Sequence, residues 1–313
     1  MLSPEEMLTF YYPDIYGNCP IDLEILGYKL TIHHLFSVPM KLKDLLKDEL
    51  SDRELDHLIQ SYDLVGDIAI TQIPAELSHR EKLIGEAIIA TNKRIRVVAK
   101  RDGFYQGDFR TIPLTIIAGE DRKETEHVEF GVRLQLNPEL VYFSVRSSTE
   151  RKRIAELVEP GEDILVMFSG IAPYPLIINK FSQARSIVGI ESNRRAHNYG
   201  TRNLTLNKVK DSVELFWGDV TDVVPEIDRQ FQRIIMPLPT ASRDYLPVAL
   251  EFLSPGGTIH FYDFQPVGSY TASLDTINHL CRDCGRQVLS WTPVVCGHTS
   301  PGINRVCLDT LIG

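Results

Sequence analysis

The chain has 313 residues, of which 43% are hydrophobic and 24% charged, with a formal net charge of −9. This is the make-up of a soluble globular protein of two domains that can bury a sizeable core, and it excludes a disordered chain. No apolar run reaches the length of a membrane span, the acidic total argues against a nonspecific nucleic-acid binder, and five scattered cysteines imply no disulfide scaffold. The first residues lack a basic region followed by an apolar core, so the expected location is the cytoplasm.

Residues 1–60 read as an amino-terminal extension to which the sequence assigns no role. Within it, Met40 to Gln60 reads as one or two charged helices, and Ser51-Asp-Arg-Glu54 is suited to cap the second. Residues 61–140 read as a small α+β domain. Tyr62 to Thr71 is a strand bent at Gly66, Glu81–Thr91 an amphipathic helix and Arg94–Ala99 a half-buried strand. Pro113–Ala118 is an apolar strand ending at Gly119, and a further strand lies near Val128–Leu136.

From residue 141 to 313 the pattern changes to repeated strand–helix alternation. A charged stretch, Ser147 to Arg153, runs into a short helix with Glu150 in its first turn, where the dipole favours a carboxylate. After Pro160-Gly161 comes an apolar run, Ile164–Phe168, closed by Ser169-Gly170. Strands Ser186–Ile190, Val213–Phe216, Arg233–Met236 and Thr258–Phe261 follow. Helices lie between them near Pro175–Gln183, Arg194–Asn207, Arg243–Leu253 and Ser273–Cys284, and Gln287–Pro293 with Arg305–Leu311 closes the chain as a hairpin-like pair. Such alternation means a parallel sheet with right-handed crossovers, which holds ligands at the carboxyl ends of its strands.

Four of those ends carry chemistry. Phe168-Ser169-Gly170 is a compact turn that lets backbone N–H groups approach a ligand. Glu191-Ser192 offers a carboxylate for the two hydroxyls of a ribose, and Gly218-Asp219 one for an exocyclic amine. Pro237-Leu238-Pro239 is a stiff segment with exposed carbonyls. Each alone is more often a turn or a helix cap. In this order along one domain they point to a nucleoside cofactor, and the absence of G-x-G-x-x-G at the first turn argues against a dinucleotide.

Several segments together resemble the archaeal and eukaryotic-type tRNA (guanine37-N1)-methyltransferases. They are Ser61-Tyr-Asp-Leu-Val-Gly-Asp-Ile-Ala69, Gly107-Asp-Phe-Arg110, Thr125-Glu-His-Val-Glu-Phe-Gly131, Val141-Tyr-Phe-Ser-Val-Arg146, Thr149-Glu-Arg151, Met167-Phe-Ser-Gly170, Met236-Pro-Leu-Pro239 and Gly256-Gly-Thr-Ile-His-Phe-Tyr262. The resemblance implies a Rossmann-like class I methyltransferase domain preceded by the small α+β domain, S-adenosylmethionine as cofactor, tRNA as partner, a monomer and no metal. It implies Glu150 as the base that removes the N1 proton and Arg110 as the partner of O6. Pro237 would stand at the target base, Arg146, Arg151, Leu238 and Pro239 would contact the substrate, and Phe168 to Gly170, Glu191, Ser192, Gly218, Asp219 and Pro237 would hold the cofactor. For Glu150, a helix-dipole carboxylate paired with Arg146 or Arg153 is the structural alternative.

Two positions depart from the family pattern. Val166 replaces an Asp, which removes one charge-assisted hydrogen bond of about 1.5–3 kcal/mol, and Pro237 replaces an Asn. A related family that transfers the aminocarboxypropyl group of the same cofactor has Gly-Tyr there, so Leu238-Pro239 favours the methyltransferase; a paralogue that binds RNA without transfer is the other alternative. Elsewhere, Cys281-Arg-Asp-Cys284 lacks the second pair of a zinc site, and His260 reads as a core residue. Lys93, Arg94, Arg96, Lys100, Arg101, Arg151 to Arg153, Arg194 and Arg195 form basic clusters suited to phosphates if they converge.

Overall fold

A computed structural model describes residues 41–104, 107, 109–209 and 211–313, and the backbone of 21–25 and 28–32. Met40 and Asp108, to which the sequence reading extends, lie outside the described residues. The first elements are an antiparallel pair, β1 (Ile21–Ile25) and β2 (Tyr28–Ile32).

Helices α1 (Leu42–Leu46) and α2 (Asp52–His57) form where the sequence places them. Ser51 and Glu54 close a reciprocal capping box at the start of α2, satisfying two otherwise orphaned N–H groups. Leu42, Leu46, Leu50, Leu55 and Leu58 are buried in one cluster with Leu77, Ile84, Ile88 and Val98. These helices therefore pack as part of the small domain, which takes in Leu42 to Leu58 as well as the residues from 61 on.

That domain is a four-stranded sheet in the order β3 (Asp63–Val65), β4 (Ile68–Thr71), β5 (Val97–Arg101), β6 (Leu114–Gly119), with α3 (Glu81–Thr91) crossing between the parallel pair β4 and β5. At Gly66 the backbone has φ +59°, and an added Cβ would lie 2.1 Å from Thr125 Oγ1, so only glycine fits. Side chains on one face of the sheet (Ala69, Val98) pack under α1–α3. Those on the other (Ile68, Ile70, Val97, Ala99, Leu114) join the core of the carboxy-terminal domain. The strand expected near Val128–Leu136 is instead a hairpin, β7 (Thr125–Glu129) and β8 (Val132–Leu136). Its two-residue turn, Phe130-Gly131, has positive φ at both positions, the mirror-image geometry that matches strand twist. A phenylalanine there hides the signal. Asn203 holds this hairpin by exchanging hydrogen bonds with the backbone of Gln135, so the second domain begins near Thr125, before the expected 141.

After α4 (Ser148–Glu156) the alternation runs β9 (Asp163–Met167), α5 (Pro173–Phe181), β10 (Ser186–Glu191), α6 (Arg194–Leu206), β11 (Val213–Trp217), α7 (Val220–Ile227), β12 (Phe231–Met236), α8 (Ser242–Phe252), β13 (Leu253–Pro266), α9 (Thr271–Asp283), β14 (Val288–Ser300) and β15 (Ile303–Ile312). Only α7 escapes the sequence reading. The sheet order is β11-β10-β9-β12-β13-β15-β14, parallel from β11 to β13 and antiparallel beyond. Alternate residues of β9 serve the two core layers, Ile164 and Val166 on one face and Leu165 and Met167 on the other. Val166 is fully buried, in the same core cluster as Tyr174, Tyr262 and Cys307. The order reverses between β9 and β12, and the crevice at such a switch point is where these sheets bind. Among the described residues no helix is long and apolar enough to cross a membrane.

Candidate cofactor and substrate cleft

A cleft of about 700 Å³ opens at the carboxyl ends of β9, β10 and β12. Phe168, Ser169, Gly170, Glu191, Ser192, Pro237, Leu238 and Pro239 line it, as the sequence reading expects. The turn after β9 is built from three left-handed residues, Phe168 (φ +58°), Gly170 (+57°) and Ala172 (+67°). Left-handed backbone at Phe168 is costly for a non-glycine residue, and its ring packs edge-to-face on Tyr245 at 4.8 Å. The turn aims the Gly170 N–H at Glu191 Oε2 (2.7 Å), while the Asn193 N–H reaches Oε1 (2.7 Å). Burial pushes the Glu191 carboxyl above its ordinary value, and these two N–H groups oppose that shift. A carboxylate fixed by two backbone donors at the end of the second strand keeps lone pairs for vicinal hydroxyls, so the residues present fit the nucleoside of S-adenosylmethionine.

The opposite wall comes from the small domain and from the segment before α4. Arg110 lines the cleft with its guanidinium 4.9 Å from the Tyr142 ring centroid. Arg146, largely exposed, donates to Asp63 Oδ1 (2.8 Å), whose other oxygen takes Arg101 (2.5 Å). One carboxylate of β3 thus ties two cleft-lining arginines to the joint between the domains.

Glu150 is not on the cleft wall. Its side chain is buried, held bidentate by Arg153 (2.7 and 2.8 Å), and its Oε1 accepts from the Tyr262 hydroxyl at 2.5 Å. Tyr262 does line the cleft. Behind Glu150 a polar ladder crosses the protein. Arg153 also binds Asp309, Asp309 accepts from His260 Nδ1 (2.6 Å), His260 Nε2 meets Arg233 Nη1 (2.8 Å), and Arg233 binds Glu162. A guanidinium can only donate, so Nε2 accepts and His260 is the neutral Nδ1–H tautomer. Burial drives the His260 pKa down in agreement. Burial pushes the Asp309 carboxyl up, but hydrogen bonds from His260 and Arg153 outweigh it and hold the pKa well below the usual range. His260, Cys307 and Asp309 have the spacing of a cation site, yet Arg233 and Arg153 flank them and disfavour a metal ion.

The TRM5/TYW2 methyltransferase domain model matches residues 125–289, more than half of the chain, and the TYW2 N-terminal domain model matches 42–122. The chain belongs to the TRM5/TYW2 methyltransferase family. It is 37% identical over 229 residues to the tRNA (guanine(37)-N(1))-methyltransferase Trm5b of Pyrococcus abyssi, covering 73% of this chain and 67% of that one. It is 25% identical over 270 residues to the tRNA(Phe) (4-demethylwyosine(37)-C(7)) aminocarboxypropyltransferase of Pyrococcus horikoshii, covering 86% of this chain and 95% of that one. Among solved structures, it is similar to Trm5b of Pyrococcus abyssi with TM-score 0.76 and 34% identity over 84% of this chain and 78% of that chain. The complex of aTrm5 with tRNALeu has TM-score 0.76 at 27% identity, over 93% of this chain and 82% of the other. Trm5 of Methanocaldococcus jannaschii in complex with adenosine has TM-score 0.71 at 28% identity, over 86% and 77%. The boundary between the two family models, at residues 122 and 125, coincides with the structural one.

The geometry modifies several expectations. Arg151, expected at the substrate, does border the cleft, but its side chain is buried and paired with Glu129 (2.7 and 2.6 Å) and Ser144 O (3.0 Å), so it also pins the segment before α4. Asp219 caps α7, one oxygen accepting twice from Thr221 and the other once from Tyr245, so neither it nor Gly218 lines the cleft. Glu150, expected as a base in direct contact, stands one residue back. The basic clusters do not form one free track either, because Lys100, Arg101 and Arg153 are taken by carboxylates, while Lys93, Arg94, Arg96, Arg194 and Arg195 are exposed. Sequence reasoning missed the far wall, Cys296 to Thr299 and Arg305 of the β14–β15 hairpin. No local signal marks those residues, since they reach the cleft only by register.

Proposed function

We propose that the chain transfers a methyl group from S-adenosylmethionine to N1 of guanine 37 of tRNA, acting as a cytoplasmic monomer. The observation that carries this is one continuous cleft with Phe168–Gly170 and Glu191 on one side and Arg110 and Arg146 on the other, and with the Tyr262–Glu150 pair beneath it. S-adenosylmethionine supplies an activated methyl group when bound. Glu191 and the turn at Ser169-Gly170 would bind its nucleoside. Guanine N1 carries a proton and is not nucleophilic until the proton leaves, so a base and an O6 donor are needed. Glu150 is the carboxylate at the end of that path, and Arg110 is the cation that would meet O6. Pro237, lacking an N–H, offers the target base only its carbonyl. The base must leave its stack to enter. Family membership and the relative named a guanine-37 N1-methyltransferase support this reading. The test is methyl transfer to unmodified tRNA that carries or lacks guanine 37; transfer independent of that guanine refutes it.

Aminocarboxypropyl transfer to a modified guanine is the second reading, favoured by the match of residues 42–122 to the TYW2 N-terminal domain. The mass added to tRNA separates the two.

A further inference from the structure

The carboxylate expected to act as base is not itself on the cleft wall and meets it through Tyr262, with the Cys296 thiol the other cleft-lining group beside it. Both side chains are buried, but of the two only Tyr262 lines the cleft, and they are joined at 2.5 Å. The Tyr262 oxygen donates to Glu150 and accepts from Tyr174 (3.1 Å), which leaves a second lone pair for an incoming donor. The ladder behind has carboxylates at Glu150, Asp309 and Glu162, guanidiniums at Arg153 and Arg233, and a neutral His260. One arginine serves both Glu150 and Asp309, so the ladder carries one net negative charge at the end nearest the cleft. Around the pair stand the thiols of Cys296 and Cys307, with pKa values raised by burial, and two further guanidiniums: Arg151, neutralised by Glu129, and Arg305, which donates to Ser147 Oγ and the Cys296 carbonyl.

We propose that Tyr262 is the group that meets the substrate, taking the proton from N1 of the target purine while passing its own hydroxyl proton to Glu150. The N1–H bond breaks and its electron pair stays on N1; the proton forms a new O–H bond on Tyr262. The original Tyr262 proton bonds to Glu150 Oε1. Tyr262 ends neutral as it began, Glu150 becomes a neutral acid, and the purine takes up the negative charge that Glu150 loses. The ladder is poised for this because arrival of one proton cancels its one excess charge. Tyr174 positions the phenol. The proposal deepens the function proposed above and rests on it.

The experiment compares wild type, Tyr262→Phe, Glu150→Gln and the double variant in methyl transfer to guanine-37 tRNA across pH 6 to 9. Tyr262→Phe is expected to lower kcat by roughly 10²-fold or more with KM for tRNA nearly unchanged. The double variant should be no slower than the slower single one, because the two residues form one path. Tyr262→Phe that keeps more than a third of wild-type kcat, or losses that multiply in the double variant, overturns the relay. Melting temperature and cofactor binding guard against a folding defect. Should Tyr262→Phe be unstable, replacement of Tyr262 by 3-fluorotyrosine shifts the pH–rate profile if the phenol carries the proton, and an unmoved profile overturns the proposal. Proton NMR of the free protein gives a readout apart from catalysis. A downfield hydroxyl resonance should vanish in Tyr262→Phe and move in Glu150→Gln, and its absence from wild type removes the Tyr262–Glu150 bond on which the relay depends. Wild type that leaves guanine 37 unmethylated, with that resonance present, refutes the proposed function instead.

Discussion

Replacing Glu191 by Gln keeps the side-chain volume but removes the charge and turns one acceptor oxygen into a donor. Both oxygens now accept a backbone N–H, from Gly170 and Asn193, each at 2.7 Å. An amide can satisfy only one of them, and the other is left facing an NH₂ group. Loss of one charge-assisted hydrogen bond to the ribose costs about 1.5–3 kcal/mol, a fall in cofactor affinity of roughly ten- to a hundred-fold. The unpaired N–H loosens the turn at Ser169-Gly170 as well, so the upper part of that range is expected. Titration calorimetry with S-adenosylmethionine at pH 7.5 measures the change. The pH dependence adds a second arm. Because burial holds the Glu191 carboxyl above its ordinary value, wild-type affinity should weaken with acid earlier than an exposed glutamate would dictate, and the variant should show no such titration. A folded Glu191→Gln protein that binds within threefold of wild type would refute the assignment of Glu191 to the ribose.

Glu150→Gln should lower kcat by about 10²–10⁴-fold with cofactor affinity within threefold of wild type, measured by single-turnover methyl transfer and calorimetry; a matching loss of affinity would make Glu150 a structural ion-pair member only. Arg151→Met leaves Glu129 charged and unpaired at a site where both partners are nearly inaccessible, so a loss of about 3–5 kcal/mol is expected in denaturant unfolding, against little change if Arg151 served the substrate. His260 is neutral in the fold with its pKa lowered, so the unfolded chain binds more protons as pH falls below about 6.5. Stability is therefore complete above that pH and declines below it, at up to about 1.4 kcal/mol per pH unit, with His127 adding in the same direction; His260→Gln should remove one proton's share of that slope.

Much of the cleft was legible in advance because it lies at strand ends. Strand period and the small residues that stop a strand are local properties, so Ser169-Gly170, Glu191 and Pro237-Leu238-Pro239 could be placed from the chain alone, and the capping box at Ser51 likewise. Asp219 shows the limit of that reasoning. Its position at a strand end is as expected, but a cap and a cofactor contact look alike in one dimension, and the donors of Thr221 and Tyr245 show that in the fold it serves as a cap. The hairpin turn at Phe130-Gly131 and the helix Val220–Ile227, with Pro225 inside it, were hidden by residues that disfavour the conformation they adopt.

By itself, then, the order of residues determined the alternating class of the fold and the strand ends that carry polar groups, since each follows from spacing within a dozen positions, while motifs spread from Ser61 to Tyr262 carried the resemblance to the family. Tertiary structure alone decided which side chain faces the cleft. Tyr262 meets Glu150 across 112 positions of chain, and Arg153 meets Asp309 across 156. Those meetings exist because β13 and β15 lie side by side in the sheet and α4 packs nearby, and no local pattern reveals which donors a buried carboxylate will find.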